Sequence, residues 1–340
     1  MNEKLGLIGI IITGVVDDRD IKCLRDELVM LESLDLSASN IITYSGMLGT
    51  YVGGSNPVIT YPANEMPQFS FSDVVTTVGK TTLNSIKLPN SSTSIGYGAF
   101  LHCYGLTGKL VIPSSVSNIG WYAFVGCSKL SGDLTIPNSV KTIGNAAFYE
   151  CSGFTGSLVI PNSVTSIGER AFSYCNGFTT LTIPTSVTSI GYSAFNTCSG
   201  LNSIYAYPTN PIDLNSSPST FEGVNMSTCK LYVPIGSKSA YQAASQWKDF
   251  VNIIEMSVLK VTAEKKDEIS KDASNDVKIF SSVAGLLIEG ITPGEMVRVY
   301  DVTGNQLCVV KSDRERILVS VPKGAMYIVK TTKGNMKVLF

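Results

Sequence analysis

Hydrophobic residues recur in a fixed order along residues 110–203, where nearly the same stretch of sequence is present four times. The four copies begin at Leu110, Leu134, Leu158 and Leu181. The period is 24 residues and shortens to 23 in the last two copies. Within the second copy, Leu134 and Ile136 alternate with Thr135. This alternation predicts a short strand with Leu134 and Ile136 pointing inward and Thr135 outward.

The remainder of each copy predicts a closed coil. In the second copy, Pro137 is expected to end the strand, and Val140 and Ile143 to enter the core from a second short segment. Gly144 is expected to permit a tight bend and Phe148 to place its ring inside. Repetition at this period predicts a solenoid, in which each coil buries its apolar side against its neighbours. A fifth copy, residues 86–109, precedes the four, and the expected internal stack is Phe100, Phe124, Phe148, Phe172 and Phe195.

The chain before the repeats is expected to form a cap with atypical coils, residues 1–82. Residues 5–13 read as a strand of the mature protein rather than a signal peptide, because no small-residue cleavage site follows them. Asp17, Asp18 and Asp20 precede a helical pattern and suit a helix start, with a calcium loop as the alternative. Residues 31–41 read as a strand, and Phe69 or Phe71 takes the place of the repeat phenylalanine.

The chain after the regular repeats changes character twice. Residues 83–256 are assigned to the solenoid, ending in a predicted helix over 239–250 that carries Trp247 and caps the last coil. Residues 257–275 are charged and poor in large apolar groups, which indicates a linker. Residues 276–340 show short alternating strands separated by turn signals, which predicts a small antiparallel sandwich.

Composition narrows the classes of function. The formal net charge of -1 provides no field that would gather polyanions, so nucleic acid is not an expected partner. Only 16% of the residues are charged, and the longest apolar runs fall short of a membrane span.

Cysteine and histidine usage gives no sign of a catalytic or metal site. Five cysteines recur at one phase of the repeat, Cys103, Cys127, Cys151, Cys175 and Cys198. Such a line of thiols lacks zinc-ligand spacing; we interpret the thiols as small buried hydrophobes, with disulfides between neighbouring coils as the alternative. His102 is the only histidine, and its side chain is expected to point away from that of Cys103, so no catalytic residue, cofactor site or metal site is assigned.

The five copies, of the form xIPxSVxxIGxxAFxxCxxL, resemble the bacterial surface leucine-rich repeats of the BspA-like, or treponemal, type. The stretches at residues 12–37 and 231–250 are similar to the ends of such domains in gut Bacteroidetes. Residues 297–307 and 321–331 resemble the sorting-type β-sandwich of secreted Bacteroidetes proteins, although 277–285 lacks the Asn-Pro usual at its entry. The expected fold is a leucine-rich-repeat solenoid of short strands and few helices, followed by a small all-β sandwich.

The resemblance also implies a location and a role. It implies a secreted or surface-displayed protein, outside the outer membrane, that adheres to or binds partners and has no catalytic residues. A native signal peptide is expected upstream of residue 1. Partners are expected to be host or bacterial surface proteins, or glycans.

The variable positions of the repeat hold the candidate binding residues. Two columns follow Ile-Gly in each copy, and both are expected to face solvent: Tyr97, Trp121, Asn145, Glu169 and Tyr192, then Gly98, Tyr122, Ala146, Arg170 and Ser193. Exposed aromatic residues serve as stacking platforms or protein hot spots, so the ligand-binding candidates are Tyr97, Trp121, Tyr122, Glu169, Arg170 and Tyr192. The plainer interpretation is that the tyrosines cover the coil edges.

The strand side offers a second outward column, which in solenoids often forms the binding surface: Lys87, Val111, Thr135, Val159, Thr182, Tyr205 and Tyr232. The leading hypothesis is a non-enzymatic protein-binding or adhesion protein. The alternatives are a carbohydrate-binding module for mucin or dietary glycans and a structural surface spacer.

Overall fold

The computed structural model describes residues 9–51, 58–256, 278–282, 285–301, 306–311, 316–319, 326–332 and 334–339. The chain forms two compact units. The first contains the residues up to Tyr232 together with Ser239–Ile253, and the second contains Val233–Lys238 and the residues from Ile254 onward. The proposed linker, 257–275, lies outside the described residues, and the domain boundaries inferred from the sequence stay a prediction.

The first unit opens with a strand at Gly9–Val16, later than the 5–13 expected, and residues 5–8 lie outside the described part. An α-helix follows at Asp18–Asp26. The Asp17 carboxylate accepts the Arg19 backbone N–H at 2.8 Å, while Asp20 accepts the Asp17 N–H at 2.9 Å. These aspartates therefore cap the helix, as the sequence predicts.

Atypical coils connect this helix to the regular repeats. Ser33–Ile41 lies between Gly9–Val16 and Ser85–Lys87 in a parallel sheet, and Tyr44–Gly46 pairs with Ile59–Tyr61 as a hairpin. Glu65–Met66 pairs in parallel with Ser94–Ile95 of the first regular coil. The ring of Phe71 stacks on that of Phe100 at 5.5 Å, so Phe71 is the core substitute and Phe69 is not.

Two parallel sheets run along the regular coils. One is built from two-residue strands at Glu65–Met66, Ser94–Ile95, Asn118–Ile119, Thr142–Ile143, Ser166–Ile167 and Ser189–Ile190. The other is built from Gly156–Val159, Phe178–Ile183, Ser203–Ala206, Lys230–Val233 and Asn252–Glu255. The strand expected at Leu134–Ile136 keeps its alternating burial, but this segment has no regular ladder. Only isolated bridges, such as Gly132 with Phe154, join the neighbouring coils there.

The core phenylalanines form the predicted stack. Ring centroids lie 5.2 to 5.8 Å apart from Phe71 to Phe221, with near-parallel rings, so the stack extends one coil beyond each end of the predicted five. Each of the five repeat cysteines is free and donates its S–H to the carbonyl of a phenylalanine in the preceding coil; Cys151, for example, donates to Phe124 O at 3.0 Å. The five thiols are therefore structural, as expected.

The glycines of the Ile-Gly pairs correct one prediction. Gly96, Gly120, Gly144, Gly168 and Gly191 are not among the positive-φ residues of the described chain, so they do not supply a glycine-only bend. Instead, a Cβ on Gly168 would lie 2.5 Å from the carbonyl carbon of Gly144 and 2.6 Å from the backbone nitrogen of Asn145. Glycine is needed here because adjacent coils approach too closely for any side chain.

The segment predicted to cap the last coil is not one continuous helix. Helix Lys238–Ala243 and a 3-10 turn at Trp247–Asp249 replace the expected helix over 239–250. The break occurs at Gln246, whose φ is 62°. Its side chain accepts the Thr220 N–H at 2.8 Å and donates to Ser217 O at 2.8 Å, so tertiary hydrogen bonds override helix propensity.

Trp247 closes the apolar stack. Its buried indole lies 5.0 Å from the ring of Phe221, and its N–H donates to Ile212 O at 2.9 Å. No helix within the described ranges is long and apolar enough to cross a membrane.

The second unit contains two antiparallel sheets in its described part. One is ordered Lys278–Ser282, Gly285–Glu289, Arg316–Val319, and the other Gln306–Lys311, Met296–Asp301, Met326–Thr331, Gly334–Leu339. The all-β class expected for this unit is confirmed. Its relation to sorting-type domains stays a prediction.

Candidate functional site

The backbone around each core phenylalanine positions the surface side chains. Two positions per coil, one on either side of the phenylalanine, have φ between 51° and 81°. The first column is Phe69, Gly98, Tyr122, Ala146, Arg170, Ser193 and Ser219, and the second is His102, Gly126, Glu150, Tyr174, Thr197 and Gly223. Most of these are not glycine, although non-glycine residues seldom adopt this region. The coil therefore keeps one backbone path while side-chain size varies from coil to coil.

Size variation in the first column produces a groove. Large side chains at Phe69, Tyr122 and Arg170 alternate with the small residues Gly98 and Ala146. The resulting space has a volume of about 440 Å³. We call it the tyrosine groove, because Tyr97, Tyr122 and Tyr149 line it.

The floor of the tyrosine groove is apolar. Leu101, Val125 and Ala146 are buried and pack in one cluster with Phe69, against which Tyr149 is partly buried. Each of the three keeps only 6 to 8% of its surface exposed at the bottom of the groove, and a concave apolar lining of this kind is typical of a binding site.

Aromatic contacts hold one rim of the groove in place. The ring of Tyr97 lies 5.2 Å from Phe69 and 5.3 Å from Tyr122, in tilted arrangements. Tyr97 is 41% exposed and Tyr122 is 37% exposed. Burial, together with the neighbouring Tyr122, raises the pKa of Tyr97. The Tyr97 ring is therefore neutral near neutral pH, and its contacts position both rings before any ligand arrives.

Arg170 closes the far end of the groove. Its guanidinium carbon lies 5.2 Å from the centroid of Tyr192, a cation–π arrangement. None of the ion pairs formed within the described part of the chain includes Arg170. Burial and the nearby Glu150 raise the pKa of Tyr149, while the positive charge of Arg170 opposes that rise. Arg170 thus places a positive charge that has no salt-bridge partner among the described residues beside an apolar floor.

The six residues expected from the sequence divide between this groove and its surroundings. Tyr97, Tyr122 and Arg170 line the groove, and Tyr192 is connected to it through Arg170. Trp121 and Glu169 do not line it. Trp121 is 55% exposed. Whether any of the six binds a ligand stays a prediction.

The expectation that both variable columns face solvent is wrong for three of the five residues of the second column. Gly98, Ala146 and Ser193 are buried. At Gly98 the cause is direct, since a Cβ there would lie 3.1 Å from the ring of Phe69. A large side chain one coil away covers the small residue.

Some residues that line the groove were not among the binding candidates predicted from the sequence. Leu101 and Val125 follow their core phenylalanines directly, at a position occupied by Ser173 and Asn196 in later coils. This switch from apolar to polar along one column is a signal that could have located the floor. Phe69 could not be found in the same way, because it belongs to an irregular coil.

His102 and Cys103 do not form a nucleophile pair. Nδ1 of His102 lies 2.7 Å from the carbonyl oxygen of Thr77, whereas the buried Cys103 thiol donates to Phe71 O at 3.3 Å. Burial raises the pKa of Cys103 to about 12, which keeps the thiol protonated. Across the described residues, no group of three or more His, Cys, Asp or Glu side chains is placed to hold a metal ion.

The strand-side column is a second, partly exposed surface. Val159, Thr182, Tyr205 and Tyr232 occupy successive positions in register. The rings of Tyr205 and Tyr232 stack face to face at 4.6 Å. Because each ring covers the other, this pair offers less free aromatic surface than the rim of the groove.

Comparisons with known proteins agree with the repeat architecture. Residues 76–202 and 131–235 match the family model described as BspA type leucine rich repeat region, in six copies. The leucine-rich-repeat solenoid predicted from the sequence is thereby confirmed. No curated protein matches this chain.

Solved structures of bacterial leucine-rich repeat proteins are also similar. One from T. pallidum is 26% identical, with 48% of this chain and 74% of that chain covered and a TM-score of 0.37. One from Bacteroides ovatus is 30% identical, with coverages of 42% and 43% and a TM-score of 0.32. A leucine rich cell surface protein from Faecalibacterium prausnitzii is 24% identical, with coverages of 53% and 61% and a TM-score of 0.36. This chain spans less than two thirds of the last two.

Proposed function

We propose that the solenoid is a non-enzymatic protein-binding domain and that the tyrosine groove receives a segment of the partner protein. The observation that carries this proposal is the groove itself, whose nearly buried apolar floor of Leu101, Val125 and Ala146 lies beneath an aromatic rim. Protein interfaces concentrate their binding energy where tyrosine and arginine surround a pocket that an apolar anchor can fill. The volume of about 440 Å³ fits one or two large side chains, not a whole domain.

The proposed setting is the cell surface or the medium, and the proposed partner is a host or bacterial surface protein. This part of the proposal rests on the resemblance to surface leucine-rich repeats, and it includes adhesion as the biological outcome. We further propose that residues 276–340 act in export or anchoring. Deleting them and measuring the protein in cell-surface, periplasmic and medium fractions of the source bacterium tests this, and an unchanged distribution would refute it.

Filling the groove is the direct test of the binding proposal. In Ala146→Tyr, the new ring enters the groove, and the backbone tolerates it because Tyr122 has the same left-handed conformation in the preceding coil. The full chain and this variant are used to select from random peptides displayed on phage, and from purified matrix proteins. We expect binders of the full chain that Ala146→Tyr loses.

Two further variants complete the test. Tyr122→Ala removes part of the rim and should weaken the same binders, since Ala146 shows that alanine is accommodated at this position. Val111→Thr, on the exposed strand side, is the matched control and should bind normally. If every binder survives both groove variants, the groove is not the binding site and the proposal fails.

Carbohydrate binding is the second candidate function. It is favoured by Trp121, whose large indole is 55% exposed and lies outside the groove. A glycan array probed with the full chain and with Trp121→Ala separates the two candidates. Glycan binding that Trp121→Ala abolishes and Ala146→Tyr leaves intact would favour this alternative.

A further inference from the structure

We propose that the segment held in the tyrosine groove has an apolar anchor residue and, two or three positions away, an acidic residue that pairs with Arg170. This inference rests on the proposed function, since it specifies the partner of the same groove. Three observations support it: the shape of the floor, the charge at its end and the spacing of the coils.

The apolar anchor is assigned to the space above Ala146. This residue is small and lies in the left-handed column between Tyr122 and Arg170, one coil from each. Val125 and Tyr149 also line the groove beside it. The walls are thus aromatic and aliphatic, so a leucine, isoleucine or phenylalanine side chain would be buried there without leaving a polar group unpaired.

The acidic group is assigned by charge. Of the described residues that line the groove, Arg170 is the only arginine or lysine, and none is an aspartate or glutamate. No carboxylate in the described part of the chain lies within ion-pair distance of it, and its guanidinium leans on the face of Tyr192. Stacking on an aromatic ring leaves the edge N–H groups of a guanidinium free, and these match a carboxylate bidentately. A basic segment would meet a like charge at the same place.

The spacing follows from the coils. Core rings one coil apart are separated by 5.4 Å in this part of the solenoid, as between Phe124 and Phe148 and between Phe148 and Phe172. Arg170 begins one coil beyond Ala146, and its guanidinium reaches the ring of Tyr192 in the next coil. The anchor and the carboxylate are therefore separated by one to two coil steps, about 5 to 11 Å, which an extended chain covers in two or three residues.

Random peptides displayed on phage are the probe. The library is selected on the full chain, peptides that also bind Ala146→Tyr are removed, and the remaining pool is sequenced. We expect enrichment of Asp or Glu two or three positions from a large apolar residue, with Lys and Arg depleted near it. A synthetic peptide of the consensus and its Asp→Asn or Glu→Gln counterpart are then titrated by calorimetry.

Variants of Arg170 assign the contact. Arg170→Gln should weaken binding of the acidic peptide about fivefold, as expected for a partly exposed charge pair, and leave binding of the neutral counterpart unchanged. Arg170→Glu should reverse the preference and favour peptides with Lys. Lys141→Gln removes the same charge at an exposed position outside the groove and is the matched control. Circular dichroism confirms that each variant is folded.

The outcomes separate this inference from the proposed function. The inference fails if the peptides that depend on the groove show no enrichment of acidic residues. It also fails if Arg170→Gln binds the acidic peptide as tightly as the unsubstituted protein does. Either result leaves the binding groove in place. A pool that contains no peptide sensitive to Ala146→Tyr or Tyr122→Ala overturns the proposed function, and this inference with it.

Discussion

Removing one ring from the middle of the phenylalanine stack tests whether the core is a chain of neighbouring couplings. Phe148 is fully buried, lies 5.4 Å from both Phe124 and Phe172, and has Phe154 edge-on at 6.3 Å. Phe148→Ala should lower the free energy of unfolding by about 3 to 5 kcal/mol through lost burial and the cavity that remains. Each broken ring pair contributes about 0.5 to 1.5 kcal/mol beyond burial, so a value in the upper half of the range is expected.

Urea unfolding followed by tryptophan fluorescence is the assay. The two tryptophans report different parts of the first unit, Trp121 the repeats and Trp247 the cap. Because a solenoid couples only neighbouring coils, the weakened centre should also separate the Trp121 and Trp247 transitions, measured in single-tryptophan variants. Phe148→Leu, which keeps most of the volume, should cost about 1.5 kcal/mol or less. A loss below about 1 kcal/mol for Phe148→Ala would refute a tightly packed stack.

Three other predictions follow from the core and the cap. Gly168→Ala should lower stability by about 1 to 3 kcal/mol or more in urea unfolding, because its Cβ would meet the backbone of Gly144. Gly9→Ala, whose Cβ would lie 3.6 Å from that of Ser33 in ordinary contact and whose φ is not positive, should cost less, and equal losses would contradict the close approach of coils. Iodoacetamide with mass mapping should label exposed Cys23 in the folded protein and label buried Cys151 only after unfolding, since burial raises the Cys151 pKa well above the usual value; equal labelling rates would contradict this. Burial raises the pKa of Asp18 from 3.8 to about 6, against the opposing hydrogen bonds from Thr50. Stability from protonated Asp18 should therefore be full below about pH 4 and lost as the pH rises through about 6. Asp18→Asn should flatten this part of the stability–pH curve, and an unchanged curve would show that Asp18 is not its cause.

The sequence is most informative where one residue type repeats at one phase. Phe148 and Cys151 could be placed in the core because every coil repeats them, and a side chain with the same neighbours in each coil needs no knowledge of distant contacts. Asp17 was predictable for a different reason, since a helix cap is local.

Other features depend on contacts between coils and could not be read in advance. Residue type alone does not reveal whether a glycine is required by its φ or by a close neighbour. At Gly144 the sequence therefore suggests a bend, whereas the structure shows a close approach of adjacent coils. The groove depends on the sizes of side chains about one period apart, such as Tyr122 beside Ala146, and on Phe69 in an irregular coil. Gln246 interrupts a helix pattern because its side-chain amide donates hydrogen bonds to residues about 30 positions earlier.

The left-handed columns beside the phenylalanines make this solenoid a natural scaffold for engineering. Tyr122, Ala146, Arg170 and Ser193 share one backbone conformation, so exchanging one such residue for another leaves the conformational cost, about 1 kcal/mol or more per position, unchanged. At the exposed positions Tyr122 and Arg170, the identity of the side chain is thus separated from this backbone cost. A combinatorial library that randomises these two positions with non-glycine residues should yield folded proteins at high frequency while changing what the surface recognises.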